Sequence, residues 1–311
     1  ESIVVVRDRE GALHAHANVC RHRGARLCAA TGSGPTAGIT CPYHGFTYAM
    51  DGRLIGTPNV GRDELDRDAL GLWSVAVDQW EGLVFVSLAG DPPELASWLD
   101  SEPASSPVRF VRHRMDALVT GVRTVSEVAA NWKILVDNYM ECLHCPQVHP
   151  ELVDIVPLYR TGAVVDDGRS DGGVALVPGT QGFAPVGPSA LPLLPTMTDE
   201  DAGAYFGAYV FPNLFLDVTG TCIMATGLHP TGPERTTVVT EYLFSPDTVA
   251  SPGFEPGAVV DFNELVGRQD YAVCEGVQQG VRSRYFTGGV LAGKDALLLD
   301  VADRYRREMG R

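Results

Sequence analysis

The sequence has few basic residues and no long apolar run. Among its 311 residues, 24 lysines and arginines stand against 39 aspartates and glutamates, a formal net charge of −15. Nucleic acid and anionic membrane surfaces are therefore poor partners, because both carry dense negative charge. No run approaches the eighteen or more apolar residues of a membrane-spanning helix. We expect a soluble globular protein that binds neither nucleic acid nor a membrane.

Cysteine is also scarce, and its spacing is irregular. The chain has seven cysteines, an odd number, and no secretory signal is visible. We therefore expect no disulfide framework and a reducing, cytoplasmic setting. The opening residues ESIVVV read as a strand, and we expect an N-terminal segment to precede them. The sequence shows no internal repeat and no low-complexity tract.

Two regions of different texture predict two domains, residues 1–105 and 106–311. The first consists of short apolar or alternating runs separated by turn signals, which is typical of an all-β unit. Residues 89–107 are rich in proline, serine and acidic residues and indicate a boundary. The second region predicts an α+β domain. We expect strands over 108–126, a helix starting near Glu127, and loops over 160–200, followed by antiparallel strands and two helices, 256–284 and 295–309.

One metal motif lies in the first domain. Each of its halves lies between strand-like runs and brings one thiolate and one imidazole: Cys20 with His22, and Cys41 with His44. Gly24 and Gly45 follow closely, where the backbone must turn tightly. Such a set could hold structural zinc, but zinc fingers commonly place both cysteines in one half. One cysteine and one histidine in each half is typical of a Rieske [2Fe–2S] cluster.

A second metal motif lies in NWKILVDNYMECLHCPQVHP, residues 131–150. Asn138, Glu141 and His144 are spaced i, i+3 and i+6, so on a helix they share a face. His149 joins them only if the helix breaks near Pro146. Two imidazoles and a carboxylate suit a ferrous centre that keeps open positions for oxygen. The alternative is an amphipathic helix with two incidental histidines.

The segments NVCRHRGARL, TCPYHGFTYAMDGRL and NWKILVDNYMECLHCPQVHP together resemble the alpha subunits of Rieske non-haem iron oxygenases. The resemblance covers essentially the whole chain. It implies a β-sandwich-like Rieske domain and an α+β catalytic domain with an antiparallel sheet. It also implies that His144 and His149 bind a mononuclear iron, while the cluster is held by the four residues of the first motif: Cys20, His22, Cys41 and His44.

The same resemblance assigns the remaining site residues. The third iron ligand is a downstream carboxylate, for which Asp270 is preferred over Glu275. Glu141 bridges the two metal centres by a hydrogen bond to His22 or His44 of a neighbouring chain, in a head-to-tail homotrimer. Asn138 lines the iron site without necessarily binding the metal.

The implied activity is that of the oxygenase component of a multi-component system, with O2 as co-substrate. Electrons come from NAD(P)H and flavin through a separate flavin/iron–sulfur reductase, with a ferredoxin as a further carrier in some systems. The form DNYMECLHC looks most like the branch acting on carnitine, glycine betaine and stachydrine, which favours monooxygenation: hydroxylation or N-dealkylation of a quaternary ammonium compound. The alternatives are a ring-hydroxylating (di)oxygenase of an aromatic substrate and, from another class, a Rieske electron-transfer protein without oxygenase activity.

Two features allow a second interpretation. An aromatic cage would hold a quaternary cation, and the catalytic domain offers a stripe of rings, although plain core packing also explains it: Tyr205, Phe206, Tyr209, Phe211 and Phe215. Cys142 and Cys145 have the spacing of a redox or zinc pair, but they lie between proposed iron ligands. We expect these thiols to pack behind the site.

Overall fold

The computed structural model describes residues 1–29, 38–101, 107–164, 172–185, 191–291 and 293–310. It divides into two compact units, Glu1–Trp98 and Leu99–Arg311. The predicted domain boundary at residue 105 falls outside the described residues, so the ranges 1–105 and 106–311 remain predictions. Within the described ranges, no helix combines the length and the apolar composition that a membrane crossing requires.

The N-terminal unit contains two small antiparallel sheets, and the predicted all-β character is confirmed. A four-stranded sheet has the order β1-β2-β6-β7, and a three-stranded sheet has the order β3-β4-β5. The strands are β1 Ile3–Arg7, β2 Leu13–Ala17, β3 Ile39–Thr40, β4 Thr47–Tyr48, β5 Leu54–Gly56, β6 Ser74–Trp80 and β7 Leu83–Ser87. Short 3-10 turns follow at Arg62–Glu64 and Asp68–Leu70, and helix α1 spans Leu95–Leu99.

The C-terminal unit is built on one six-stranded antiparallel sheet, as predicted. Its order is β8-β15-β14-β13-β12-β9, and β10 pairs separately with β11. The strands are β8 Val119–Val128, β9 Val174–Ala175, β10 Thr180–Gln181, β11 Ala184–Pro185, β12 Ala204–Val210, β13 Leu214–Val218, β14 Ile223–Gly232 and β15 Arg235–Phe244. In β15, buried residues alternate with half-buried ones, the period-2 pattern of a sheet with one better-covered face.

Helices pack against this sheet and carry the site. The α-helices are α2 Trp132–Tyr139, α3 Cys145–Val148, α4 Pro150–Ile155, α5 Asp199–Ala202, α6 Pro246–Ala250, α7 Gly257–Val281 and α8 Ala296–Glu308. Further 3-10 segments are Pro107–His113, Met115–Ala117, Pro157–Thr161 and Gly293–Asp295. The two helices predicted over 256–284 and 295–309 are confirmed as α7 and α8. Of the loops predicted over 160–200, residues 165–171 and 186–190 lie outside the described part of the chain.

The start of the site helix differs from the prediction. Glu127 belongs to β8, which pairs with β15 as far as Val128, and α2 starts only at Trp132. Asn131 caps the helix, because its side chain accepts a hydrogen bond from the Lys133 N–H at 3.0 Å. The strand predicted over 108–113 is also wrong, since this stretch is a 3-10 helix.

The end of the site helix differs as well. Helix α2 stops at Tyr139, and residues 140–144 are not helical. Pro146 lies in the first turn of α3, where its missing N–H costs no helical hydrogen bond. The predicted break near Pro146 and the helical face shared by Glu141 and His144 are therefore wrong. A loop, rather than a helix face, brings these two side chains together.

We expect Asp201→Asn to lower the free energy of unfolding by about 1–2 kcal/mol at neutral pH. Arg112 donates to both carboxylate oxygens of Asp201, at 2.7 and 2.8 Å, while the carboxylate also accepts from Thr198 at the start of α5. Hydrogen bonds from Arg112, opposed by burial, lower the pKa of Asp201 to about 2. This stabilisation is complete above the pKa of the unfolded carboxyl and is lost as the pH falls through about 2.

Chemical denaturation of the wild type and of Asp201→Asn, from neutral pH downward, measures this effect. The two unfolding curves should converge as the pH falls. The matched control is Asp303→Asn, which breaks the exposed Asp303–Arg306 pair and should change nothing measurable. Equal stability of the wild type and Asp201→Asn at neutral pH would contradict the stabilising role of the Arg112–Asp201 ion pair.

Candidate active site

The two predicted cluster loops have matching backbone geometry. In each, the cysteine carbonyl accepts a hydrogen bond from the glycine four residues later, at 3.0 Å for Gly24 and 3.1 Å for Gly45. The cysteine N–H donates to the carbonyl one residue beyond that glycine, at 2.8 Å in both loops. Gly24 and Gly45 have φ of +73° and +72°, a backbone conformation that glycine adopts without strain. The expected tight turns are present in both loops.

Of the four predicted cluster residues, the two cysteines are buried and the two histidines lie nearer the surface. Cys20 and Cys41 are buried free cysteines in the core of the N-terminal unit. The rings of His22 and His44 lie with centroids 4.6 Å apart, and His22 is exposed while His44 is half-buried. Two interior thiolates and two outward imidazoles fit a [2Fe–2S] cluster whose histidine-bound iron lies near the surface.

Tyr48 favours the thiolate form of Cys20, one of the predicted cluster ligands. Its hydroxyl accepts from the Arg21 N–H at 3.1 Å and lies 3.3 Å from Cys20 Sγ, to which it can donate. Burial raises the pKa of the Cys20 thiol, but hydrogen bonds from Tyr48 and from the His22 N–H outweigh burial and lower it. Thiolate is the form that binds iron. The sequence analysis did not single out Tyr48.

In the C-terminal unit, three predicted metal ligands converge. His144, His149 and Asp270 each present a ligand atom, and these atoms lie within 4.8 Å of one another. Asp270 Oδ1 is 3.2 Å from His144 Nε2 and 2.8 Å from His149 Nε2. His144 precedes α3, His149 separates α3 from α4, and Asp270 lies on α7. Two imidazole nitrogens and a carboxylate match the donor set of a non-haem iron site that keeps open coordination positions.

Two neighbours orient the histidine rings. Glu141 Oε1 lies 2.6 Å from His144 Nδ1, and Gln269 Oε1 lies 2.8 Å from His149 Nδ1. Each contact holds the ring so that Nε2 faces the convergence point, a common arrangement around histidine ligands. Asn138 Nδ2 is 3.3 Å from His144 Nε2, so Asn138 borders the site. The sequence analysis missed Gln269, which the preference for Asp270 at the next position could have suggested.

Glu275, the alternative third ligand, lies elsewhere. Its Oε1 accepts a hydrogen bond from the Ala129 N–H at 2.9 Å, next to the end of β8. Asp270 and Glu275 are five residues apart on α7, which directs their side chains about 140° apart around the helix. The structure therefore brings Asp270, and not Glu275, to the two histidines.

The convergence point strongly attracts positive charge. Burial disfavours a charged His144, yet hydrogen bonds to Asp270 and Glu141 outweigh burial and raise its pKa to about 9. Asp270 shows the reciprocal effect, because its hydrogen bonds with the two histidines outweigh burial and lower its pKa. A divalent cation would take the place of the shared protons.

The cysteine pair differs from the expectation. Cys142 and Cys145 are both buried, but they are joined by a disulfide, and Cys142 lines the cavity beside the histidines. The prediction of two thiols packed behind the site is therefore wrong.

A cavity of about 170 Å³ opens at the three converging side chains. One face of α7 lines it through Asn263, Gly267 and Asp270, which follow a helical repeat. The rest of the lining includes Tyr139 of α2, Tyr205, Phe215 and Asp217 of the sheet, and Phe183 between β10 and β11. The sequence analysis missed Asp217 and Tyr139, for which spacing gives no signal.

The five rings of the aromatic stripe do not lie together. Tyr205 and Phe215 line the cavity at the histidines. Tyr209 and Phe211 line a separate cavity of about 420 Å³ beside α8. Phe206 is buried, with the Arg112 guanidinium 5.8 Å from its ring centroid. Of the five rings proposed for a cage, two therefore lie in the cavity with His144, His149 and Asp270.

Family models match most of the chain. The ring hydroxylating alpha subunit (catalytic domain) matches residues 115–311, and the Rieske [2Fe–2S] domain matches residues 1–79. The glycine betaine monooxygenase oxygenase subunit of Chromohalobacter salexigens is 29% identical over 317 residues, covering 92% of this chain and 70% of the relative.

Solved structures share the fold. A quaternary ammonium Rieske monooxygenase, whose study concerns carnitine oxidation and inter-subunit electron transfer, superimposes with a TM-score of 0.70 at 23% identity, covering 92% of this chain and 74% of the other. Naphthalene 1,2-dioxygenase from Rhodococcus sp. gives a TM-score of 0.68 at 20% identity, covering 91% and 72%.

These matches confirm the predicted family and the predicted α+β fold class. They also account for the two donor sets, since the matched domains are those of an iron–sulfur protein and of a mononuclear iron oxygenase. The chain belongs to the alpha subunits of the Rieske non-haem iron oxygenases, enzymes that combine a Rieske [2Fe–2S] cluster with a mononuclear iron.

Proposed function

We propose that this protein is the oxygenase component of a monooxygenase that hydroxylates or N-dealkylates a quaternary ammonium compound. The observation that carries the proposal is the cavity in which His144, His149 and Asp270 converge beside Tyr205 and Phe215. The names of relatives support the substrate class, because glycine betaine monooxygenase and the quaternary ammonium Rieske monooxygenase are both similar along most of the chain.

Each site residue has a proposed role. His144, His149 and Asp270 would hold the mononuclear iron, and four N-terminal residues would hold the cluster: Cys20, His22, Cys41 and His44. When bound, the two metal groups supply electron transfer and O2 activation. Glu141 and Gln269 fix the histidine rings, Asn138 borders the iron site, and the rings of the cavity exclude water from the substrate.

The overall reaction balances as a monooxygenation. One atom of O2 enters a C–H bond next to the quaternary nitrogen, and the other leaves as water with two protons and two electrons. Those electrons would come from NAD(P)H through a separate flavin-containing reductase. Because the hydroxylated carbon is bonded to nitrogen, the C–N bond then breaks as the hydroxyl group loses its proton. The products are a carbonyl compound, a tertiary amine and one proton.

The route between the metal groups is proposed to run through Glu141 to His22 or His44 of a neighbouring chain, in a homotrimer. Support comes from the position of Glu141, whose carboxylate is hydrogen-bonded to His144 Nδ1 and to the Leu143 N–H. A solved relative has been studied for inter-subunit electron transfer.

The cytoplasmic location remains a prediction from cysteine usage.

Single-turnover assays test the function without the natural reductase. Purified protein is loaded with iron, reduced with dithionite, freed of excess reductant and exposed to O2 with glycine betaine, carnitine or choline. We expect a Rieske electron paramagnetic resonance signal before exposure, and substrate-dependent release of amine and carbonyl products afterwards. Naphthalene and benzoate serve as arene probes. Arene oxidation without oxidation of any ammonium compound would overturn the substrate class. Zinc in place of iron in the protein as purified, before any iron is added, would overturn the oxygenase function.

A further inference from the structure

A carboxylate with no cationic partner faces the cavity. Asp217 lies on β13, opposite Gly207 of β12, and lines the same cavity as the two histidines. The hydroxyls of Tyr139 and Tyr205 both donate to its Oδ1, at 2.7 and 2.5 Å. Among the described residues, none donates to Oδ2, and no lysine, arginine or histidine forms an ion pair with the carboxylate.

A carboxylate without a cationic partner is energetically unfavourable at this position in the cavity wall. Burial raises the pKa of Asp217 to about 6, against the two tyrosine hydrogen bonds that lower it. At neutral pH the group is therefore mostly ionised, and among the described residues only the two tyrosine hydroxyl dipoles compensate its charge. A carboxylate largely shielded from water and without a cationic partner is destabilising, and apolar residues of similar volume would often be more stable. A positive charge inside the cavity would compensate this carboxylate.

Aromatic rings surround this carboxylate. Tyr139 is stacked on Phe215, with centroids 3.9 Å apart and planes inclined by 8°. Tyr205 lies against Phe183 at 4.5 Å. Gly207 makes room for the two hydroxyls, because a Cβ there would lie 2.6 Å from Tyr205 Oη and 3.1 Å from Tyr139 Oη. Rings and one carboxylate are thus gathered at a single point of the cavity wall.

This combination suits a methylated cation better than a primary amine. A quaternary ammonium group donates no conventional N–H hydrogen bond, so it is recognised by Coulomb attraction and by contact with ring faces. A primary ammonium would need acceptors for three N–H groups, whereas this end of the cavity offers Asp217 Oδ2 and aromatic surface.

We propose that Asp217 is the counter-ion of the substrate, binding its quaternary ammonium group in the part of the cavity that Tyr139, Tyr205 and Phe215 line. This inference rests on the proposed function and names the residue that selects the cation. Asp217 and the iron ligand set line one cavity, so a substrate held at Asp217 presents its neighbouring carbons toward the histidines. The tyrosines keep the carboxylate in place and leave Oδ2 for the cation.

The test compares glycine betaine with 3,3-dimethylbutanoate, in which carbon replaces the nitrogen and only the positive charge is lost. Isothermal titration calorimetry with the iron-loaded protein is run at about pH 8, where the carboxylate is ionised. We expect the wild type to bind the betaine at least about tenfold more tightly than the carbon isostere, which keeps the carboxylate but lacks the cation. Asp217→Asn, of nearly the same shape, should lose this preference through weaker betaine binding, with isostere binding unchanged.

Tyr205→Phe is the matched control, because it removes one hydrogen bond to Oδ1 but keeps the ring and the carboxylate. If Asp217 served only a structural hydrogen-bond network, both variants would weaken the two ligands alike. The counter-ion role requires Tyr205→Phe to retain the preference for the betaine. If Asp217→Asn does not fold, the affinities of the wild type for the two ligands still test the counter-ion role. Equal affinity for the betaine and the isostere overturns the inference.

The outcomes also separate this inference from the proposed function. Oxidation of the betaine by the wild type, with undiminished selectivity in Asp217→Asn, overturns the counter-ion and leaves the function standing. A wild type that neither binds nor oxidises glycine betaine, carnitine or choline overturns the substrate class and the counter-ion together.

Discussion

Asp270→Ala is expected to remove the mononuclear iron and abolish oxygenation while the Rieske cluster stays bound. Asp270 Oδ1 lies 3.2 and 2.8 Å from the Nε2 atoms of the two histidines and supplies the only negative charge in the set of three converging residues. Without it, two neutral imidazoles would hold a dication in a partly apolar cavity. We expect iron content to fall from three per chain to the two of the cluster, with product below detection.

Glu275→Ala is the control for this prediction. It removes the carboxylate that the sequence leaves open as a third ligand, on the same helix, but here that carboxylate binds the Ala129 N–H. This variant should keep its mononuclear iron, although the loss of a hydrogen bond at the end of β8 can lower stability. Iron analysis and electron paramagnetic resonance of the reduced cluster read out both variants. Iron loss in Glu275→Ala with retention in Asp270→Ala would reverse the assignment.

The second large effect is expected for Glu141→Gln, which should separate reduction of the cluster from product formation. The substitution keeps an oxygen that can accept from His144 Nδ1, the contact now made at 2.6 Å, so iron should remain bound. It removes the negative charge proposed to link the two metal centres. We expect normal cluster reduction and product formation per bound iron lowered on the order of 10- to 100-fold.

Gln269→Ala provides the comparison. Gln269 makes the corresponding contact with His149 Nδ1, at 2.8 Å, but has no proposed part in electron transfer. Its loss should weaken iron binding and leave the yield per bound iron unchanged. Rapid-mixing measurements of cluster reoxidation, with product counted per iron, distinguish these effects. A Glu141→Gln variant that turns over at the wild-type rate per iron would contradict the bridging role.

The sequence determined the two metal motifs because their residues are close neighbours along the chain. Cys20 and His22 share one short loop and Cys41 and His44 another, so spacing alone indicates the ligand types and their grouping. Period-2 and helical patterns likewise predicted the antiparallel strands of the C-terminal sheet and the long helices α7 and α8. In these cases local geometry and hydrophobic burial indicate the same structure.

Local reasoning was wrong where the chain leaves regular structure. The spacing of Asn138, Glu141 and His144 suggested one helical face, yet α2 ends at Tyr139. The residues still lie together, because the Glu141 side chain turns back to bond His144 Nδ1 and the Leu143 N–H. The hydrogen bonds of this loop depend on side chains and not on a repeat, so periodicity could not reveal them.

Only the tertiary structure decided which distant residues complete the site. The resemblance prefers Asp270 over Glu275, but only the packing of α7 shows that Asp270 meets the two histidines, more than a hundred positions earlier in the chain, while Glu275 binds the Ala129 N–H. Asp217 has no motif at all. Its place is set by the register that puts it opposite Gly207 and by α2, which brings the Tyr139 hydroxyl to it. Ligand types follow from covalent sequence, whereas a cavity wall forms only when separate elements pack.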